Sequence, residues 1–201
     1  MLRDSMPAVV VARYGGSLEV MDRPIPRPGV GEVLVRVRAS GLCSTDLHLL
    51  SGRQPLGELP RILGHELAGD VVELSPGVAG WQIGDRVTAA IDVTCGRCRH
   101  CRTGETQRCA VMQRIGFERD GGHAEYVTVP AANLVALPEG LSYEGAAILP
   151  DAVACMYHSL IHRGGLGVGQ RVLILGVGGL GIHGVQIAVS YTHLRAHETG
   201  R

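Results

Sequence analysis

The chain has 201 residues, and its 19 basic side chains, all arginine, balance 19 acidic ones. A neutral chain has no global field to attract nucleic acid or an anionic membrane, and the absence of lysine excludes a lysine Schiff base. No apolar stretch is long enough for a signal peptide or a membrane span, so we expect a cytoplasmic protein. Six cysteines in a reducing compartment favour metal binding or chemistry over disulfides.

Short apolar segments separated by glycine and proline dominate the first two thirds of the chain. This spacing predicts a compact antiparallel β domain, with turns at residues 24–31 and 75–80. The predicted strands cover residues 8–12, 33–37, 68–74, 86–91, 126–129 and 134–137.

A helical pattern begins at Ser142, the expected N-cap, and its apolar face continues to Leu160. Glycines at residues 164–169 end it. Residues 172–175 then predict a short apolar strand that enters a glycine-rich turn, and residues 182–189 predict a helix. Strand, glycine turn and helix in this order are typical of a nucleotide-binding unit.

Four cysteines have the spacing of a structural metal site. Cys95, Cys98, Cys101 and Cys109 form the pattern CxxCxxCx7C within one short segment. Zinc favours tetrahedral coordination by four thiolates in closed structural sites. A redox cluster or unliganded thiols is the alternative, and such a lobe could also be a zinc ribbon that binds nucleic acid without being an enzyme.

A second set of candidate metal ligands lies outside this lobe. Cys43 occurs in GLCSTDLH, His65 in GHELAG and Asp151 in ILPDAVA. A catalytic zinc takes three protein ligands of these types and keeps a fourth position open for water or substrate. A thiolate and a carboxylate would balance the charge of the ion.

Several motifs together resemble the zinc-containing medium-chain alcohol dehydrogenases over residues 7–189. The motifs are GLCSTDLH, GHELAGDVV, the four-cysteine lobe, GDRV at residues 84–87, DGGHAEYV at residues 120–127 and GVGGLG at residues 176–181. The resemblance implies that Cys43, His65 and Asp151 hold a catalytic zinc. Cys155, four residues after Asp151, is the rival thiol.

The same resemblance assigns roles to neighbouring residues. Glu66 would lie beside the metal, as a transient ligand or as support for one, and Asp46 would orient the ligand histidine. Thr45 would bond the substrate oxygen and pass its proton toward His48 through the cofactor ribose. The other histidines have no motif support for metal binding and are interpreted as structural: His100, His123, His158, His162 and His183.

The glycine-rich turn predicts a dinucleotide site. In this motif the first glycine permits the tight turn, the second admits the pyrophosphate and the third allows close helix packing, while the helix N-terminus attracts the anion. The expected cofactor-binding residues are Gly176, Gly178, Gly179, Leu180 and Gly181. The cofactor would be NAD or NADP. Both remain alternatives, because the acidic residue that distinguishes them is not found where the motif requires it.

The resemblance implies a GroES-like antiparallel β-barrel catalytic domain at residues 1–150, followed by the first βα unit of a Rossmann α/β domain at residues 151–189. Residues 190–201, SYTHLRAHETGR, resemble translated adapter sequence, so we expect a non-native tail and an incomplete second domain. Such a truncated chain would be inactive. The full-length protein would be a homodimer or homotetramer.

The implied activity is that of a zinc-dependent alcohol dehydrogenase with two zinc ions per chain. It would oxidise a small-molecule alcohol reversibly to an aldehyde or ketone, with hydride transfer to NAD or NADP. A polyol or amino-alcohol dehydrogenase of the sorbitol or threonine type is an alternative within the family. A metal-free reductase of the same superfamily and the non-enzymatic zinc ribbon are the others.

Overall fold

The computed structural model describes residues 4–54 and 57–192. The chain divides into two compact units, one ending at Ile148 and the other beginning at Leu149. All strands of the described residues belong to the first unit. No helix in this described part is long and apolar enough to cross a membrane.

Ten strands form three sheets in the described residues of the first unit, and every strand pair is antiparallel. The strands are β1 (Ser5–Val11), β2 (Leu18–Pro24), β3 (Glu32–Gly41), β4 (Arg61–Ile62), β5 (Glu66–Leu74), β6 (Arg86–Ala89), β7 (Asp92–Val93), β8 (Gln113–Arg114), β9 (Tyr126–Pro130) and β10 (Leu134–Ala136). The largest sheet has the order β10-β6-β5-β3-β9, the second has the order β2-β1-β4, and β7 pairs with β8.

Strand β3 lies at the centre of the unit, with apolar side chains packed on both of its faces. Val33 and Val35 belong to a core that includes Val71, whereas Leu34 belongs to a separate core with Met6. These three consecutive residues of β3, Val33, Leu34 and Val35, are fully buried. A run of consecutive apolar residues is typical of a strand that is buried on both faces.

The predicted antiparallel β domain is confirmed, and each of the six strand segments predicted for it overlaps an observed strand. No closed barrel is found in the described residues. Within the described residues the large sheet ends at β9 and β10, which pair only with β3 and β6. A barrel requires its outer strands to complete the hydrogen-bond ladder. An isolated bridge between Ala8 and Ala124 connects β1 to the segment before β9.

Strand β2 was absent from the sequence-based prediction because most of its side chains are exposed. No apolar alternation marks such a segment. It is a strand because its backbone pairs with β1 along its whole length, from Ser5 opposite Pro24 to Val11 opposite Leu18. Tertiary pairing therefore supplies what local patterning does not.

The helices of the described residues are short. They are α1 (Ser44–Leu50), α2 (Arg99–Arg102), α3 (Tyr143–Ala147), α4 (Ala154–Tyr157) and α5 (Gly181–Thr192), with 3-10 turns at Thr106–Arg108 and Ala131–Asn133 and π-helical segments at Leu149–Val153 and His158–Arg163. The predicted N-cap is confirmed, since the Ser142 hydroxyl accepts a hydrogen bond from the N–H of Gly145 at 3.1 Å.

The strand predicted at residues 172–175 is wrong, although the helix predicted after it is confirmed as α5. Leu173 and Leu175 are 80% and 86% exposed. A strand requires a hydrogen-bonded neighbour, and the described part of the second unit contains no other strand. Helix α5 includes Ser190, where the predicted tail begins, and residues 193–201 lie outside the described residues.

Candidate functional site

The paired ends of β3 and β5 bring together Cys43, His65 and Glu66. Gly41, the last residue of β3, is opposite Glu66, the first residue of β5. Cys43 follows β3 and is the N-cap residue of α1, and His65 precedes β5. One potential ligand atom of each of the three side chains lies within 4.8 Å of the others. Two predicted zinc ligands and the predicted neighbouring carboxylate are therefore adjacent.

Two glycines make room for these side chains. A Cβ at Gly41 would overlap the carboxylate of Glu66. Gly64 has a φ of +96°, and a Cβ there would lie 2.6 Å from the backbone nitrogen of His123. Glycine therefore permits both the close strand pairing and the left-handed turn that leads into His65.

A buried carboxylate, that of Asp46, lies behind the ligand candidates. It accepts a hydrogen bond from the backbone N–H of Cys43 at 2.9 Å and lies 3.7 Å from Nδ1 of His65. Burial opposes ionisation of Asp46, but the nearby His123 ring, the hydrogen bond from the N–H of Cys43 and the histidine charges outweigh it and lower its pKa. Nδ1 of His65 thus faces a carboxylate, as the predicted orienting role requires.

His123 extends this arrangement, although it was interpreted as a structural residue from the sequence. Its Nδ1 lies 2.8 Å from the hydroxyl oxygen of Ser40, and its Nε2 lies 3.6 Å from Asp46. The side chain is 7% exposed. The sequence signal for this position was its place in the motif DGGHAEYV, but only the fold shows that it contacts Asp46.

The buried ring of His65 packs against Phe117, with ring centroids 5.3 Å apart. Thr45 and His48 lie on α1 three residues apart, which puts them on one side of the helix. Thr45 is half-buried and His48 is exposed. Their roles toward substrate and proton stay predictions.

Asp151 and its rival Cys155 both belong to the second unit. Asp151 lies in a π-helical segment, Cys155 lies one turn later in α4, and the Cys155 thiol donates a hydrogen bond to Oδ1 of Asp151 at 3.1 Å. The two candidates are therefore neighbours on the helical segment. The ligand role of Asp151 stays a prediction.

The predicted four-cysteine cluster assembles in the lobe between β7 and β8. The sulfur atoms of Cys95, Cys98, Cys101 and Cys109 all lie within 4.8 Å of one another. Helix α2 begins directly after the second cysteine and contains the third, and the following 3-10 turn ends directly before the fourth. None of the six cysteines, all in described residues, forms a disulfide. This is the arrangement that a tetrahedral zinc requires.

Backbone N–H groups in the lobe favour negative charge on the sulfurs. The N–H groups of Cys98 and Cys95 donate to the sulfurs of Cys95 and Cys109, each at 3.4 Å. Backbone hydrogen bonds from Cys101 and Ala110 lower the pKa of Cys98 to about 6, whereas burial raises the pKa of Cys101 to about 11. The donor set therefore fits a cation that would take the place of the remaining thiol protons.

The glycine-rich turn has the close packing that its motif predicts. Gly176 has a φ of +89°, and a Cβ at Gly181 would overlap the carbonyl oxygen of Gly176. A Cβ at Gly178 or Gly179 would meet open space. Leu180 lies beside the first residue of α5. The first and third glycines are thus needed for the turn, and the middle ones leave the backbone accessible.

Comparisons with known proteins identify the family to which the chain belongs. A family profile described as the alcohol dehydrogenase GroES-like domain matches residues 29–139. The chain is 36% identical over 193 residues to L-threonine 3-dehydrogenase of Pyrococcus horikoshii. This match covers 93% of the chain and 54% of that protein. It is 39% identical over 186 residues to acryloyl-coenzyme A reductase of Metallosphaera sedula, with 91% of the chain and 55% of the relative covered.

A solved structure extends the similarity to three dimensions. The chain superposes with a TM-score of 0.87 and 37% identity on a cobalt- and zinc-bound thermostable alcohol dehydrogenase from Pyrobaculum aerophilum. The match covers 93% of the chain and 57% of that structure. The chain thus corresponds to little more than half of each of these relatives, 54% to 57% of their length.

Proposed function

Because the chain belongs to the alcohol dehydrogenase GroES-like domain family, we propose that it is the metal-binding part of a zinc-dependent dehydrogenase that uses NAD or NADP. The substrate would be a small alcohol, oxidised reversibly to an aldehyde or ketone. The observation that carries the proposal is the convergence of Cys43, His65 and Glu66, whose ligand atoms lie within 4.8 Å of one another. The oxidoreductase class follows from the relatives that the chain matches.

The residues present fit a zinc ion. Cys43 offers a thiolate and His65 an imidazole as the first two ligands, and Glu66 offers a carboxylate beside them. Asp151, in the second unit, is the proposed third protein ligand. Zinc bound there supplies Lewis acidity toward an alcohol or carbonyl oxygen. Asp46, at 3.7 Å from Nδ1, would hold the His65 ring so that Nε2 remains for the metal.

Proton movement would fall to helix α1. Thr45 would accept and pass on the proton of the substrate hydroxyl, and the exposed ring of His48 would release it to solvent. Their spacing of three residues supports this division of roles, because it puts both on one side of the helix. The burial of His65 and Glu66, 2% and 4% exposed, supports a site from which most water is excluded.

The cofactor would bind at the turn between Gly176 and Gly181. The left-handed Gly176 and the open space at Gly178 and Gly179 support close approach of a pyrophosphate to the backbone. Helix α5 begins at Gly181 and would direct its N-terminal N–H groups toward that anion.

Zinc counting by native mass spectrometry tests the metal part of the proposal. We expect about two zinc ions per chain, and about one in Cys43→Ala and in Asp151→Ala, because three protein ligands define a catalytic site. Cys155→Ala is the matched control, since it removes the rival thiol next to Asp151. An unchanged zinc content in Asp151→Ala with loss in Cys155→Ala would assign the ligand to the thiol instead.

The reaction is tested on the full-length gene product with NAD and NADP and a panel of substrates. Oxidation of simple alcohols would support the proposal, and oxidation only of polyols or of threonine would move it to the alternative within the family. One relative is an acryloyl-coenzyme A reductase. Reduction of an activated carbon–carbon double bond, without alcohol oxidation, would overturn the proposed reaction.

A further inference from the structure

A cavity of about 490 Å³ in the first unit is separate from the candidate metal sites. It opens between the β2-β1-β4 sheet, strand β9 and the segment that follows β8. None of the cysteines or Glu66 and His65 lines it. Charged side chains are prominent in its wall: Arg23, Arg61, Glu118, Arg119 and Asp120.

The two acidic residues of the wall already have partners. Arg114 donates to both carboxylate oxygens of Glu118, at 2.6 and 3.2 Å, and its backbone N–H donates at 2.8 Å. Asp120 accepts from Arg61 at 3.2 Å and from the backbone N–H of Ile62 at 3.1 Å. Their negative charge is therefore committed to other groups.

The arginines of the wall differ in their pairing. Arg61 pairs with Asp120, and Arg119 pairs with Glu32 and donates to Gln113. The side chain of Arg23 has no hydrogen bond or ion pair within residues 4–54 and 57–192. Its charge has no acidic counterpart in the described structure.

The arginines that line the cavity also have guanidinium N–H groups without an acceptor. The Nε atoms of Arg23, Arg61 and Arg119 are each buried and have no hydrogen-bond partner in the described structure. Because these Nε atoms have almost no accessible surface, an anion in the cavity would contact the terminal guanidinium nitrogens, whose N–H groups form a fork for two oxygens of one anion.

We propose that this cavity binds a small organic anion, whose phosphate or carboxylate group is held by the guanidinium of Arg23 next to those of Arg61 and Arg119. Three arginines face two carboxylates across the wall, which leaves one positive charge in excess. A volume of about 490 Å³ is that of a site for a small molecule rather than for a single ion. Met6 and Ile62 line the cavity beside the charged groups and would contact its apolar part.

Calorimetric titration of the chain tests the proposal with defined probes. Inorganic phosphate and succinate are each titrated at constant ionic strength, with sodium chloride as the reference salt. We expect saturable binding of at least one probe, and the stronger one identifies the anion as phosphate or carboxylate. Binding of neither probe beyond that of chloride would overturn the proposal.

Variants of Arg23 link the binding to this cavity. We expect Arg23→Gln to weaken probe binding at least about tenfold and Arg23→Lys to weaken it less, because lysine keeps the charge but not the fork. Arg27→Gln is the control, since Arg27 is an exposed arginine that pairs with Glu73 outside the cavity wall. Equal binding by Arg23→Gln and the unmodified chain would overturn the proposal.

The melting temperature separates a ligand site from a structural role. Without the probe, Arg23→Gln should melt no lower than the unmodified chain, because Arg23 has no partner to lose in the described structure. With the probe, only the unmodified chain and Arg27→Gln should become more stable. If Arg23→Gln melted lower than the unmodified chain without the probe, and the probe stabilised both proteins equally, Arg23 would serve the fold alone.

Discussion

Carboxylate Oδ2 of Asp46 lies 3.6 Å from ring Nε2 of His123, next to the candidate metal ligand His65. The other carboxylate oxygen of Asp46 lies 3.7 Å from Nδ1 of His65. One buried carboxylate thus stands between two histidines that are 58 residues apart in the sequence. The turn at Gly64 is the local reason, because it packs its backbone directly against His123.

Loss of the Asp46 charge should weaken the metal site near it. Asp46→Asn keeps the shape but removes the negative charge behind His65, so we expect about 10- to 100-fold weaker zinc binding at Cys43 and His65. Competition with a chelator, followed by zinc counting, measures the change. Asp22→Asn is the control, because Asp22 is exposed on β2. Equal zinc affinity in both variants would rule out the orienting role of Asp46.

Two glycines with similar backbone angles should respond differently to alanine. Gly64 and Gly77 have φ values of +96° and +86°, but a Cβ would lie 2.6 Å from His123 only at Gly64 and would meet nothing within 4 Å at Gly77. We expect Gly77→Ala to lower the free energy of unfolding by about 1 kcal/mol and Gly64→Ala by about 2 kcal/mol more. Denaturant unfolding measures both. Equal losses of unfolding free energy in the two variants would mean that His123 moves away from the added methyl group at no cost.

Removal of one thiol from the four-cysteine lobe should unfold that lobe locally. Cys98→Ser should lose the lobe zinc and leave about one zinc per chain, because structural zinc sites need all four ligands and supply folding energy. Hydrogen exchange in residues 95–109 should accelerate while exchange in β3 and β5 remains slow. Cys155→Ser, outside the lobe, should leave exchange in residues 95–109 unchanged. Unaltered protection in Cys98→Ser would show that the lobe folds without its metal.

The ion pair between Glu118 and Arg114 should make stability depend on pH. Burial opposes ionisation of Glu118, but the hydrogen bonds and charge of Arg114 outweigh it, so its pKa is lowered. A group with a lowered folded-state pKa stabilises the fold above its unfolded pKa, about 4.3, and this stabilisation is lost as the pH falls through the folded value. We expect Glu118→Gln to cost about 1 kcal/mol at neutral pH.

Denaturant unfolding at several pH values tests this dependence. The difference between the unmodified chain and Glu118→Gln should disappear below the folded-state pKa of Glu118, because the carboxyl is then protonated. Glu139→Gln, in an exposed turn, is the control and should change the free energy of unfolding little at any pH. A difference that stayed constant from neutral to acidic pH would assign the loss to packing.

Local spacing was sufficient for several parts of this protein. The cysteines of the lobe are at most 14 residues apart, and a short chain segment can gather them with one helical turn and one 3-10 turn. The N-cap at Ser142 and the helix after the glycine turn depend on neighbouring residues alone. The central strand β3 was recognisable because burial on both faces favours an unbroken apolar run.

Contacts between distant residues decided the rest, because burial and strand pairing depend on partners that local patterns do not reveal. Strand β2 exists through its ladder with β1, and residues 172–175 do not form a strand because the described second unit offers none to pair with. The large sheet is open because its outer strands, β9 and β10, do not pair with each other in the described structure. Likewise, His123 reaches Asp46, and Arg23 reaches the cavity of Arg61 and Arg119, only when their strands and turns pack together.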